Sequence, residues 1–303
     1  MDVAVPGRRS PDVGVRPLAI ALALLGGLLL GELVVAVVAD SVTLFADAGH
    51  LLIDVGSLAA SIGAARLAAR PARGQWTFGY SRAEILSAAG NGITLLVVAV
   101  LIAYEAVRRL VHPPTVHGGA LVAVAVAGIA INVVATGVLA RADRGSLNVE
   151  GAFQHALTDL YAVIGTLVAG VVILSTGFRR ADPLMSLIIA VLMVRAAGGL
   201  LRESGRVLLE AAPVRVDLVE VAAHLTRTAR VLGIHDLHAW TPTSSLPALS
   251  AHVVVDDACF TDGVAPQVLD ALQACLVGHF DVEHSTFQLE PASHVQHELG
   301  HHP

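Results

Sequence analysis

Residues 45–54, FADAGHLLID, decide how the chain is read. They interrupt a run of aliphatic residues and put three ionisable side chains, Asp47, His50 and Asp54, at i, i+3 and i+7. In a helix that spacing lines all three along one stripe. What surrounds the stripe follows from composition. Of 303 residues, 55% are hydrophobic and only 15% charged, which is too apolar for an ordinary soluble domain. A membrane span needs roughly 20 apolar residues, and the sequence offers such runs at residues 17–39, 42–68, 83–107, 118–140, 148–176 and 183–201. The ionisable stripe is therefore expected inside a bilayer, where an aspartate at mid-helix costs roughly 2.5–3.5 kcal/mol.

A second segment repeats the pattern. Residues 155–159 read HALTD, so His155 and Asp159 have the same i, i+4 relation as His50 and Asp54. Two such pairs supply two imidazole nitrogens and two carboxylate oxygens, a donor set that suits tetrahedral Zn²⁺ better than an all-oxygen ion such as Mg²⁺. The competing reading is a helix-stabilising hydrogen bond within each pair. The cost of burying carboxylates in lipid, incurred twice with the same spacing, favours metal ligation. Asp47 has no counterpart, because Ala152 stands three residues before His155. It reads as a residue behind the ligands or on the access path. Asn91 and Asn132 are amides expected to hydrogen-bond between helices, and Asn132 alternatively orients a ligand. One ligating pair in each three-helix half hints at an inverted repeat.

All 19 basic residues are arginines, in an Ala/Val/Gly/Leu background that looks like a GC-rich bacterial gene. Arg8, Arg9, Arg16, Arg66, Arg70, Arg73, Arg82, Arg141, Arg144, Arg202 and Arg206 flank one side of the spans. By the positive-inside rule both termini are cytoplasmic and the protein is a multi-pass protein of the inner (cell) membrane. Arg108, Arg109, Arg179 and Arg180 fall on the other side without reversing the count. The first apolar run lacks a small-residue cleavage site, so it reads as an anchor rather than a removable signal. A net charge of −6 does not suggest a polyanion such as nucleic acid as partner, and none is expected. Cys259 and Cys275 make no disulfide framework and read as small buried hydrophobes.

From Ala212 the pattern changes. Residues 217–230 and 264–279 read as helices, and residues 234–241, 248–256 and 284–290 as strands. The expected fold is a six-helix membrane bundle, residues 1–211, followed by a small cytoplasmic α+β domain of ferredoxin-like, metallochaperone-like type, residues 212–291. Residues 292–303 read as a disordered tail carrying His294, His297, His301 and His302. A zinc hydrolase would need an open coordination position and a base, usually signalled by HExxH, which is absent. The chain is therefore expected not to be an enzyme. A proton and a metal compete for neutral imidazole, so metal leaving in exchange for entering protons is the chemistry the paired ligands allow.

The segments ADAGHLLIDVGSLAAS, TFGYSRAEILSAAGNG, SLNVEGAFQHALTDLYAVIG and HDLHAWTPTSSLPALSAHVVV resemble the cation diffusion facilitator family of zinc transporters, over nearly the whole chain. The resemblance implies a homodimer, joined through the C-terminal domain, that exports Zn²⁺ from the cytoplasm against protons. It implies that His50, Asp54, His155 and Asp159 form the intramembrane transport site. A histidine rather than an aspartate at position 50 implies zinc, with cadmium or cobalt as secondary substrates. It also implies that His235, His252, His284 and Glu290 bind regulatory zinc, the alternative being surface histidines on a small sheet. Gln288 stands where some members have histidine, which leaves the number of zinc ions open. Strand alternation puts His235 and His238 on opposite faces unless a bulge intervenes. The further metal site that some relatives carry between helices 2 and 3 is expected to be absent, because RPARGQWTFGYSRAE lacks its aspartate and histidines.

Overall fold

The computed structural model describes residues 12–38, 42–111, 118–243, 246–282 and 284–294. It divides into two compact units, residues 1–205 and 206–303. The first holds six apolar helices: α1 (Asp12–Val38), α2 (Val42–Ala68), α3 (Arg82–Val111), α4 (Gly118–Ala140), α5 (Leu147–Thr176) and α6 (Ala181–Leu208), the last running into the start of the second unit. Four stretches, Leu51–Ala68, Arg82–Val111, Leu147–Thr176 and Ala181–Leu208, are long and apolar enough to cross a membrane, and α1 and α4 carry shorter apolar stretches. Helix α6 runs past the apolar stretch that ends at Leu201, with no proline between there and its end at Leu208. Helix α5 stops where Gly177 takes φ 70° and returns its N–H to the Ile173 carbonyl.

Helices α1, α2, α4 and α5 share one apolar cluster, in which Leu18, Ala21 and Leu25 meet Leu58, Ile62, Leu139, Val149 and Ala156. Helices α3 and α6 form a second, through Leu95, Ala99, Ile189, Met193 and Ala197, with Ala162 of α5 packed on it. Small residues set the helix spacing, as expected where lipid offers no hydrophobic drive. A Cβ at Gly92 of α3 would lie 2.9 Å from Leu201 Cγ of α6. Outward positions such as Leu30, Val34, Leu101 and Val191 are exposed and apolar, the surface that acyl chains would cover.

Polar groups cross-link α2, α3 and α5. The Ser57 hydroxyl donates to Asn91 Oδ1 at 2.6 Å, Asn91 Nδ2 donates to Ser61 Oγ at 3.2 Å, and Asn148 Nδ2 donates to the Ser61 carbonyl at 2.7 Å. Asn91 thus makes the interhelical bonds expected of it. Asn132 does not: its Nδ2 donates to the Gly128 carbonyl of its own helix at 3.1 Å. The amide is buried in an apolar setting and satisfies itself on the carbonyl one turn back.

The second unit is built on a three-stranded sheet in the order β1 (Val231–Thr243), β2 (Leu246–Val255), β3 (His284–Pro291). Strands β1 and β2 are antiparallel, and β2 and β3 are parallel. A parallel pair needs a crossover, which α9 (Ala265–Phe280) supplies after the short α8 (Ala258–Thr261). Helix α7 (Leu218–Thr226) is capped by Asp217, whose carboxylate accepts from the Val219 and Glu220 amides. Alternation along β2 turns Leu249, Ala251, Val253 and Val255 toward Val221 and Leu225 of α7 and Leu272 and Leu276 of α9. Cys259 is buried in that core and Cys275 half-buried at its edge.

Candidate metal centre

The sequence makes α2 and α5 apolar helices with an HxxxD step in each. The bundle brings them together. Asp54 (3% exposed) and His155 (6% exposed) face one another, with His155 Nε2 2.7 Å from Asp54 Oδ1. Asp159, one turn after His155 on α5, places its Oδ2 3.8 Å from the same Nε2. Asp54, His155 and Asp159 hold their ligand atoms close enough together for one metal ion to bind all three. They share a pocket with Ala21 and Leu25 of α1, Ser57 of α2, and Ala135 and Leu139 of α4. His50 stands in α2 four residues before Asp54, and Asp47 three residues before that; their side chains lie outside the described residues. Asn132 does not line this pocket.

The contact between His155 and Asp54 has a chemical consequence. Two lone-pair atoms 2.7 Å apart repel unless a hydrogen lies between them, so one proton occupies the space between Nε2 and Oδ1. Those are the two atoms a metal ion would take. Proton and metal are thus alternatives at one place. His155 Nδ1 is buried without a hydrogen-bond partner, so no neighbour fixes the tautomer from the far side of the ring.

The second unit carries its own cluster on the sheet face away from the helices. His235 of β1 pairs with His252 of β2, and their ring centroids are 5.0 Å apart. Glu290 of β3 is 2% exposed and joins them, His235 Nε2 lying 3.2 Å from Oε2 and His252 Nδ1 2.8 Å from Oε1. Gln288 Nε2 donates to Glu290 Oε1 at 2.6 Å. A buried carboxylate with two imidazoles fits a zinc site in donor type.

Asp236, which sequence reasoning passed over, stands at the other ring nitrogen, its Oδ2 3.7 Å from His235 Nδ1 while Glu290 faces Nε2, and His235, Asp236 and His252 hold ligand atoms close enough together for one ion. The ladder is irregular between His235 and His238, and Asp236 there takes φ 47°. This bulge resolves the alternation problem: His238 pairs with Ser250 and so lies on the same face as His252. His284 does not join. It pairs with Ala248 and Glu290 with Val254, and six residues of strand span roughly 20 Å. Within one protomer His235, His252 and Glu290 of the implied set lie together, and His284 lies at the far end of β3 from them. Of the tail histidines, His297, His301 and His302 lie outside the described residues.

Comparison with known proteins bears on both units. Residues 18–209 match the family model of the cation efflux transmembrane domain, and residues 213–292 that of the cation efflux protein cytoplasmic domain. The chain belongs to the cation efflux, or cation diffusion facilitator, family. Among curated proteins it is 38% identical over 292 residues to the metal cation efflux system protein CzcD of Cupriavidus metallidurans, covering 96% of this chain and 92% of that one. It is 34% identical over 281 residues to the zinc transporter ZitB of Escherichia coli, covering 92% and 88%. It is 33% identical over 279 residues to a cadmium, cobalt and zinc/H(+)-K(+) antiporter of Bacillus subtilis, covering 91% and 89%. A cation efflux protein is a multi-pass membrane transporter, and the buried cluster on α2 and α5 sits in the transmembrane part of the match.

Proposed function

We propose that the protein exports Zn²⁺ from the cytoplasm in exchange for protons, by alternating access around a tetrahedral site of His50, Asp54, His155 and Asp159. The observation that carries this reading is the meeting of Asp54 with His155 and Asp159, from two membrane helices, in one buried cluster. Two carboxylates neutralise the dication and so lower the cost of holding it within the bilayer. Protonated imidazole cannot bind metal, so protons reaching His50 and His155 from the far side displace zinc, which couples the two fluxes in opposite directions. Relatives named for zinc, cadmium and cobalt support a borderline divalent cargo, and an imidazole-rich donor set favours zinc among them.

In this reading the protein is a transporter and not an enzyme, a homodimer through its cytoplasmic unit, and a resident of the bacterial inner membrane with both termini inside. Zinc bound by His235, His252 and Glu290 would report cytoplasmic zinc to the transport unit. The domain limits of 1–211 and 212–291 belong to the same proposal, as do secondary acceptance of Cd²⁺ or Co²⁺ and a place for Asp47 behind the ligands.

Reconstitution tests it. Proteoliposomes given an inward zinc gradient, with a pH-sensitive dye inside, should show zinc and proton fluxes that rise and fall together. Asp159→Ala should abolish both. Wild-type zinc flux without any proton signal would refute antiport, and normal flux in Asp159→Ala would remove the site.

A further inference from the structure

Two of the histidines outside both clusters face one another. His224 lies in the last turn of α7 and His279 in the last turn of α9, and their rings stand with centroids 5.3 Å apart, tilted by 38°. Each Nδ1 lies within hydrogen-bond distance of the carbonyl one turn back on its own helix, His224 on Glu220 at 3.0 Å and His279 on Cys275 at 3.1 Å. A carbonyl oxygen only accepts, so Nδ1 carries the hydrogen in both rings. In the neutral ring Nε2 then keeps its lone pair. This is the arrangement of a metal-binding histidine whose other nitrogen is held by the backbone. The Phe280 ring meets His224 edge-on at 5.3 Å and limits its rotation.

Spacing and charge agree with that chemistry. Two imidazoles bound through Nε2 at about 2.0–2.1 Å to a tetrahedral ion hold their centroids roughly 5 Å apart. The pair His235 and His252 has nearly the same separation. Both His224 and His279 sit at helix C-termini, where the backbone carbonyls favour a cation. Glu220 is exposed four residues before His224, on the same helix face. Cys275 holds the equivalent place before His279 but packs against the apolar core.

We propose that His224 and His279, with water completing the coordination, form a second cytoplasmic site for a borderline divalent cation such as Zn²⁺. It is separate from the cluster at His235, His252 and Glu290, because the sheet lies between the helix layer and that face. An ion there joins the ends of α7 and α9, which makes the packing of the helix layer depend on metal. The inference does not rest on the transport reading.

Metal content of the purified full-length protein in detergent, after equilibrium dialysis against micromolar zinc, tests it. His224→Ala/His279→Ala should bind one ion fewer per protomer than wild type, with unchanged circular dichroism and, in the absence of zinc, an unchanged thermal midpoint. The same difference should appear in an Asp159→Ala background, which isolates this site from the membrane one. A second variant protects against a trivial folding defect. With Co²⁺, His279→Cys should show a sulfur-to-cobalt charge-transfer band that wild type lacks, and adding His224→Ala should remove it. Equal metal content in wild type and the double alanine variant, or a folded His279→Cys protein without the band, would overturn the proposal.

Discussion

His155 of α5 and Asp54 of α2 are joined by one hydrogen bond, Nε2 to Oδ1 at 2.7 Å, across 101 residues of sequence and between two membrane helices. The bond holds a proton at the point where a metal ion would take both atoms. Asp54→Asn separates the two uses of the contact. The carboxamide oxygen still accepts from Nε2, so the bundle keeps its shape. The site loses a negative charge, and a bound dication would carry net charge in the bilayer. Zinc flux in proteoliposomes should fall by about 100-fold or more while the thermal midpoint barely moves. Wild-type flux in Asp54→Asn would show that the charge is not needed.

Competition of protons for the ligating imidazoles fixes the sign of the pH dependence. Low pH puts a hydrogen on both ring nitrogens, a form that cannot bind metal; higher pH leaves a neutral ring with a free lone pair. The zinc concentration giving half-maximal flux should therefore rise as the pH on the zinc side falls. Each proton displaced contributes about tenfold per pH unit. Flux measured over a pH series on the loading side, at fixed pH on the other, gives the slope. A flat or inverted profile would mean that proton and metal bind at different places.

Much of this site was legible in the sequence, and the reason is physical. A carboxylate in an apolar run is costly enough to need an explanation, so the paired HxxxD steps stood out before any fold was known. The meeting of Asp54 with His155 and Asp159 follows from the packing of α2 on α5, which no periodicity encodes. Asn148 escaped notice because an amide so near a helix start reads as a boundary residue, yet it is fully buried and bonded to Ser61. Asp236 escaped because its place depends on a bulge and a positive φ, features that alternation cannot supply. His284 marks a limit of the same pattern. Strand parity puts it on the same face as Glu290, and parity says nothing about distance along the strand.

The close approach of α3 and α6 makes a packing prediction. A methyl group at Gly92 would lie 2.9 Å from Leu201 Cγ and 3.0 Å from its Cδ2, whereas a Cβ at Gly137 meets nothing within 4 Å. Cγ is a branch point near the backbone, so Leu201 cannot yield by turning its tip alone. Gly92→Ala should destabilise the protein by about 1–3 kcal/mol. Gly137→Ala should be neutral, or stabilising by up to about 1 kcal/mol through lower chain entropy in the unfolded state. Thermal unfolding of the two variants in one detergent makes the comparison. Equal midpoints would mean that the helices part without cost.

Glu290 is the pivot of the cytoplasmic cluster, a carboxylate 2% exposed that faces two imidazole nitrogens and the Gln288 amide. A carboxylate can accept from all three donors; a carboxamide has one oxygen and brings an amino group of its own. Glu290→Gln therefore sets donor against donor in a buried place. Stability should fall by about 1–3 kcal/mol. Zinc bound at His235 and His252 should be lost as well, because the anionic ligand is gone. Transport at saturating zinc should survive, since Asp54, His155 and Asp159 are untouched, and its dependence on cytoplasmic zinc should flatten. Zinc content after dialysis and flux in proteoliposomes, measured on the same preparation, distinguish the outcomes. Undiminished zinc content in Glu290→Gln would mean that the carboxylate only positions the histidines, and lost transport at saturating zinc would tie the cluster to the transport step itself.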